Sequence, residues 1–478
     1  MNFHHLLLAA ALFLSAFVSI SAAHSVASDD PWTAVPGILA RIKAPVFPDR
    51  DFVVTDVKFG AKLGGTHDNT AAIAKAIAAC HAAGGGRVVV PAGLFLTGAI
   101  HLKSNVNLHV SEGATLLFSS DPTAYLPVVF MRWEGIECMN YSPLIYAFEQ
   151  ENIAITGKGT LDGGASLDNW WGWTKHGNSK RPPGTPAPTG ASTRRLGVMS
   201  DNNTPVTERI FGDGYHLRPP FVQPNRCKNI LIEDVTIVRS PFWELNPVLC
   251  ENITVRGVQI SSHGPNNDGC DPDSCRDVLI ENCFFDTGDD CIAIKSGRNE
   301  DGRRVNVPSE NLIIRNCVMK DGHGGVVIGS EVAAGCRNVF VENCVMDSPN
   351  LNRALRFKSN ARRGGVVENV HMRNVTIGQV DETILSIDFT YQEGADGPYA
   401  PAVRNVSLEN VTGKKSPRVL RIVGFKGAIA DDIRFKNCVF EGIASSEQLE
   451  HAGRISFDNV TIIPAKKPRP QNAGAASE

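Results

Sequence analysis

From about residue 227 the chain alternates apolar and polar positions in short runs that recur as recognisable copies: CKNILIEDVTI, CENITVRGVQI, CRDVLIENCFF, SENLIIRNCVM, CRNVFVENCVM, VENVHMRNVTI, VRNVSLENVTG, ADDIRFKNCVF and GRISFDNVTI. Their anchors, Asn229, Asn252, Asp277, Asn311, Asn338, Asn369, Asn405 and Asp432, lie 23 to 36 residues apart, the period of a solenoid. Within each copy the apolar residues are often β-branched and alternate with period two, so each copy supplies strands. Coils made only of strands predict an all-β chain wound as a right-handed parallel β-helix. Earlier coils are legible in GGRVVVPAGLFL, SNVNLHVSEGATLLF and ENIAITGKGTLDG.

A tube of this kind needs its end strands and end core covered. Thr66 to His81 suits that purpose, because Asp68, Asn69 or Thr70 can cap a short helix whose Ile73, Ala76, Ile77 and Cys80 recur at helical spacing. The expected organisation is a signal peptide over 1–23, an N-terminal extension over 24–50, one β-helix domain over 51–464 and a disordered tail over 465–478. Leu6 to Val18 is too short an apolar run to span a bilayer, and Ser21-Ala22-Ala23 reads as a cleavage site. Export follows, to the periplasm or the medium.

Composition is that of a globular protein, 42% hydrophobic and 20% charged with a formal net charge of −3, which argues against nucleic acid and membrane lipid as partners. The expectation is a monomer with no membrane insertion. Twelve cysteines in an exported chain would ordinarily read as disulfides. Two places before and six places after the anchors, however, cysteine alternates with Val, Ala and Ser, so most are small apolar residues stacked along the tube. Cys80, Cys138, Cys270 and Cys291 remain uncommitted. The sequons at Asn252, Asn374, Asn405, Asn410 and Asn459 fall on the anchors or five residues after them, and are read as rung-to-rung amide ladders.

Four polar signatures interrupt the repeats: Asn266-Asn267-Asp268, Gly288-Asp289-Asp290, Gly322-His323-Gly324 and Arg356-Phe357-Lys358. Asp289 and His323 each follow their anchors by twelve residues, which puts them in one column on adjacent rungs, about 4.8 Å apart at the backbone. Asp268 follows Asn252 by sixteen, one coil earlier, with the extra residues in a turn. Arg356 and Lys358 share a strand face, and Lys358 falls in the column of Lys295 with Gly329 between them, leaving room for a ligand. A lone Asp in such a turn is ordinarily a ladder residue, the reading taken for Asp271, Asp273 and Asp286. Asp268, Asp289 and Asp290 together concentrate charge that only proton sharing or cations relieve, which points to catalysis, with calcium binding by the same oxygens as the alternative.

These signatures resemble the NTD, GDD, GHG and RIK series of glycoside hydrolase family 28, and the resemblance extends through GGRVVVPAG, SPFWELNPVLC, GPNNDGCDPDSC and RALRFKSN. It implies that Asp289 is the general acid, that Asp268 and Asp290 activate water, that His323 supports the acid, and that Arg356 and Lys358 bind a uronate carboxylate. Lys295, Asn266 and Tyr391 complete the residues expected against the substrate. The implied reaction is inverting cleavage of α-linked galacturonate in pectic polymers or oligomers, with no metal and no cofactor. For an inverting pair the carboxyls are expected about 6.5–9.5 Å apart. The stretch from Gly163 to Cys227, with Trp170, Trp171, Trp173 and a flexible RPPGTPAPTG, reads as a lid or subsite wall, and with the excursions after Lys295 and Asp388 it favours attack at chain ends. Two other classes stay open on the same fold: a calcium-dependent pectate lyase and a non-catalytic polysaccharide-binding β-helix.

Overall fold

The computed structural model describes residues 30–180 and 187–466; the expected signal peptide and nearly all of the expected tail lie outside them. Among the described residues the strands stack into three long parallel faces. The first has thirteen strands, from Asp51–Val53 to Ile455–Asp458, and the second has twelve, from Gly93–Thr97 to Thr461–Pro464. The third comes in two pieces, three strands that end at Val222–Asn225 and six that begin at Ile292–Ile294. Single bridges through Leu245, Val248, Cys270 and Asp273 join them. Each coil therefore visits all three faces, and the chain is a parallel β-helix.

The repeat predicts register because each apolar residue sits on its counterpart in the next coil. Val278, Leu312, Val339, Val370, Val406, Ile433 and Ile455 form one unbroken stack on the first face. All twelve cysteines are unpaired and buried, including the four left uncommitted, so the reading of small apolar residues holds throughout. The asparagine ladders are present too. Asn252 donates to Asn229 at 2.7 Å, Asn405 to Asn369 at 2.7 Å, Asn410 to Asn374 at 3.2 Å and Asn459 to Asn437 at 2.8 Å. These residues turn the chain at φ between +51° and +59°, a left-handed conformation that asparagine tolerates better than other residues with a Cβ.

Helix α1, Thr70–Ala82, covers the N-terminal end and buries Ala72, Ile73, Ala76, Ile77 and Cys80. Its side-chain cap is Asp68, whose Oδ1 accepts from the Thr70 backbone N–H at 2.9 Å, while Asn69 holds the preceding loop through Lys62 and Leu96. From residue 30 the extension before the tube packs against it. Trp32, Val35, Ile38 and Ile42 cover the outward-facing Leu279, Ile313 and Phe340, and Arg41 pairs with Asp277 at 2.7 Å.

The insertion differs from expectation. Part of the stretch taken as flexible opens helix α2, Pro188–Asp201, because Pro188 stands at the first helical position, where a missing N–H costs nothing. Residues 181–186 of that stretch lie outside the described residues. Leu196 of α2 packs with Phe211, Leu217, Phe242 and an antiparallel hairpin, Val129–Trp133 with Ile136–Asn140, into a second small core beside the third face. Its one-sided apolar signal is weak because the other residues it buries are Ser192 and Ser200.

Candidate active site

The third face carries the polar signatures, and its irregular rungs explain where they point. Asp268 ends a turn two residues before the bridge at Cys270, and Asp289 and Asp290 end the turn before Ile292–Ile294. His323 occupies the same place before Val326–Ile328. Its backbone N–H donates to the Asp289 carbonyl at 3.0 Å, which confirms the shared column. Asn267 fixes the Asp268 turn from below. It is fully buried, accepts from Ser262 and Gly264, and donates to the carbonyls of Ser240 and Phe242. That is the work of a structural residue.

The three carboxylates converge: one oxygen from each of Asp268, Asp289 and Asp290 lies within 4.8 Å of the others. This is closer than the spacing expected for an acid and a base with water between them. The columns fix only backbone separation, and how far each side chain leans sets the rest. Lys358 Nζ lies 2.6 Å and Arg356 Nη1 3.5 Å from Asp290. Lys295 Nζ lies 4.0 Å from Asp268, 3.6 Å from Asp271 and 3.4 Å from Glu331. Three cations shared among five acids, Asp268, Asp271, Asp289, Asp290 and Glu331, already meet part of the charge demand that a metal would answer. A divalent ion on the same oxygens would have to displace or repel them.

Burial and charge separate the acids. Burial, and then the neighbouring Asp289 and Asp271, push Asp268 well above the usual carboxylate range. Burial acts on Asp290 in the same sense, but Lys358 and Arg356 outweigh it and bring the carboxyl down to about 2. Asp289 is half-buried and accepts a hydrogen bond from His323 Nδ1 at 2.9 Å. That bond, followed by the charges of Asp289 and Asp290, raises His323 against the opposing effect of its own burial. The imidazolium is therefore present below a pKa above the ordinary histidine value of about 6.5 and lost above it. The alkaline limb of kcat/KM should lie on the high side of that value, and His323→Ala should move or remove it. An unchanged limb in the variant would place the titration elsewhere.

The other expected residues fall around this centre with adjusted parts. Arg356 and Lys358 lean on Asp290 beneath the Tyr391 ring, 5.4 and 5.3 Å from its centroid, so a uronate would share them with Asp290. Lys295 lies under Trp243 at 4.3 Å. Gly329 does stand between Lys295 and Lys358, yet the space is filled by backbone. With φ at +104°, any Cβ there would collide with the Lys358 carbonyl oxygen. Asn266 accepts from Arg218 at 2.8 Å. Of the acids read as ladder residues, Asp273 is a buried partner of Arg132 at 2.8 Å and Asp286 pairs with His263 and Lys320. Asp271 belongs with the site, since it helps hold Lys295. Sequence reasoning also passed over Glu134, Arg218, Glu331 and Gln392. No periodicity marks them, because loops and a hairpin bring them in.

Two compartments meet at this centre. A small cavity of about 60 Å3 is lined by Glu134, Trp243, Asp268, Lys295, Lys358 and Tyr391, among others. A wider one of about 680 Å3 lies beyond, against Trp171, Lys175, His176, Arg218, His263 and His323. Asp289 and Asn266 line both. Between Glu134 and Glu393, Arg298 ties the hairpin tip to the loop after Asp388 at 2.8 and 3.1 Å, so a bar of ion pairs runs beside the small cavity.

Clustered acids in differing environments, next to cations in a groove on a parallel β-helix, define a glycoside hydrolase for an acidic sugar. The chain belongs to glycosyl hydrolases family 28, whose model matches residues 209–455. It is 28% identical over 439 residues to an exo-poly-alpha-D-galacturonosidase of Dickeya chrysanthemi, covering 86% of this chain and 71% of that one. An endo-polygalacturonase of Pectobacterium carotovorum subsp. carotovorum is 27% identical over 338 residues, 67% of this chain and 71% of its own. The crystal structure of a hyperthermoactive exopolygalacturonase from Thermotoga maritima superposes with a TM-score of 0.86 at 44% identity, over 90% of this chain and 96% of that one. The protein is thus an enzyme of the polygalacturonase family.

Proposed function

We propose that this hydrolase removes single galacturonate residues from the non-reducing ends of pectic polygalacturonate or its oligomers, with inversion, after export from the cell. The observation that carries the reading is the division of the groove. Asp289, the acid by family resemblance, lines both compartments, whereas Asp268 lines only the small one. The acid serves the leaving group and the base serves the sugar that water attacks, so the small cavity takes the glycone and the wide one the rest of the chain. At about 10–15 Å3 of such space per water, 60 Å3 is on the scale of one sugar ring and too small for a second.

The division of the groove suggests how the acids share the work. Asp289 gives a proton to the leaving oxygen, Asp268 takes one from the attacking water, and that proton passes back to Asp289 within the cluster to close the cycle. Asp290 stays ionised and steadies the positive charge that develops at the anomeric carbon. With the acids this close, the water lies beside the Asp268–Asp290 pair and is not slotted between acid and base. Lys358, Arg356 and Tyr391 face the glycone's carboxylate.

Digestion of polygalacturonate in EDTA, followed by proton NMR of the first product, tests this reading. Monomeric galacturonate should appear at once as the β-anomer, with slow loss of viscosity. Early oligomers would refute exo-attack, an initial α-anomer would refute inversion, and unsaturated product restored only by calcium would establish a lyase. Absence of any release would leave a binding β-helix.

A further inference from the structure

We infer that Glu134 is the residue that reads the chain end, by accepting a hydrogen bond from the 4-hydroxyl of the terminal galacturonate. The inference rests on the exo reading above and gives it a residue. Glu134 stands at the tip of the Val129–Asn140 hairpin, where it and Gly135 both have positive φ, as a two-residue hairpin turn demands. The tip is docked and not free. Arg298 donates its backbone N–H to the Gly135 carbonyl at 3.0 Å, and its guanidinium holds Glu134 at 2.8 Å. The approach is so close that a Cβ at Gly135 would lie 2.7 Å from the Arg298 nitrogen. Behind the tip, Arg132 on the same hairpin makes a fully buried ion pair with Asp273, and Met131, Trp133 and Ile136 are packed in the side core.

Position gives this carboxylate its meaning. The strands of the third face run from the edge that carries Asp289 and His323 towards the edge that carries Lys295, and Arg298 and Glu134 lie beyond that second edge. A sugar in the small cavity with C1 at Asp289 and Asp268 thus turns the opposite side of its ring towards Glu134. In a pyranose the atom across from C1 is C4. In galacturonan O4 is either the hydroxyl that ends the chain or the bond to the preceding residue. A hydroxyl donates to Glu134. A preceding residue has no proton to offer there, has no room, and brings its own carboxylate against Glu134 and Glu331. A carboxylate lining a site for a polyanion is otherwise a poor choice, and selection of the terminus is what it supplies.

The test compares digalacturonate with the unsaturated digalacturonide left by a lyase, whose terminal ring lacks the 4-hydroxyl. The wild-type enzyme should prefer the saturated substrate in kcat/KM by about 10- to 100-fold, the scale on which a lost hydrogen bond to a charged group discriminates. Glu134→Ala should lose activity on the saturated substrate by a similar factor and change by less than about threefold on the unsaturated one, so that the preference collapses. Glu134→Gln keeps the shape of the tip, should retain part of the preference, and decides the matter should the alanine variant unfold. If the preference is unchanged in both variants, or if activity on the two substrates falls together, Glu134 does not read the chain end. The wild-type product profile on polygalacturonate separates this failure from that of the exo reading.

Discussion

Asp289→Asn should reduce turnover by roughly 10²- to 10⁴-fold, the usual worth of a positioned proton donor, and leave the affinity for digalacturonate within about threefold of wild type. The side-chain shape survives, and the new amide oxygen can still accept from His323, which lies 2.9 Å away in the native site. What disappears is the one group that lines both compartments and can carry a proton between the cluster and the leaving oxygen. Steady-state kinetics with calorimetric titration separates the two quantities. Turnover within tenfold of wild type would move the acid to another carboxyl, and Asp268, whose burial favours its protonated form, would be the next choice.

Lys358→Met should be the most damaging substitution among the cations. Asp290 is fully buried and its carboxylate lies 2.6 Å from Lys358 Nζ, with Arg356 at a longer 3.5 Å. Removing the nearer cation takes away the closest compensation of a buried charge, a change that destabilises by about 3–5 kcal/mol where it has been made in other proteins. The pH dependence gives a sharper sign. A carboxyl held at about 2, against about 3.9 in the unfolded chain, contributes stability that is complete above the unfolded value and lost as pH falls through the folded one. Without Lys358 the folded value rises towards the unfolded one, so the stability lost on acidification should shrink and its loss should finish at a higher pH, while kcat/KM falls. Denaturant melts of the two proteins between pH 3 and 7 check this, and parallel profiles would show that Lys358 serves only the substrate.

Much of this site was legible because the fold is periodic. Once the anchors were aligned, Asp289 and His323 had to share a column, Lys295 and Lys358 had to share another, and the cysteines had to point inward. Register is a property of sequence when every coil repeats the last. The distances within the columns were not legible. They depend on how far side chains lean, which the period does not record. Helix α2 was hidden by serines on its buried side. Glu134, Arg298 and Glu331 were hidden for a different reason: their partners come from loops and a hairpin far away along the chain, where nothing repeats. Asp271 was misread because its three-residue distance from Asp268 carries no sign of the lysine that reaches it from the next coil.

The asparagine ladders and stacked rungs also say how this kind of enzyme can change over evolutionary time. The strands of each coil pair only with those of its neighbours, so a whole coil can be added or lost near either end of the tube without breaking the ladders of the rest. Between Asp268 and Lys358 the same event would separate acid from cation by about 4.8 Å, one rung, and end the chemistry. Loops obey no such quantum, since lengthening one costs only its closure entropy. Catalysis is therefore inherited in whole rungs, while the choice of chain end or chain middle can drift one residue at a time in the hairpin and the insertions that wall the groove.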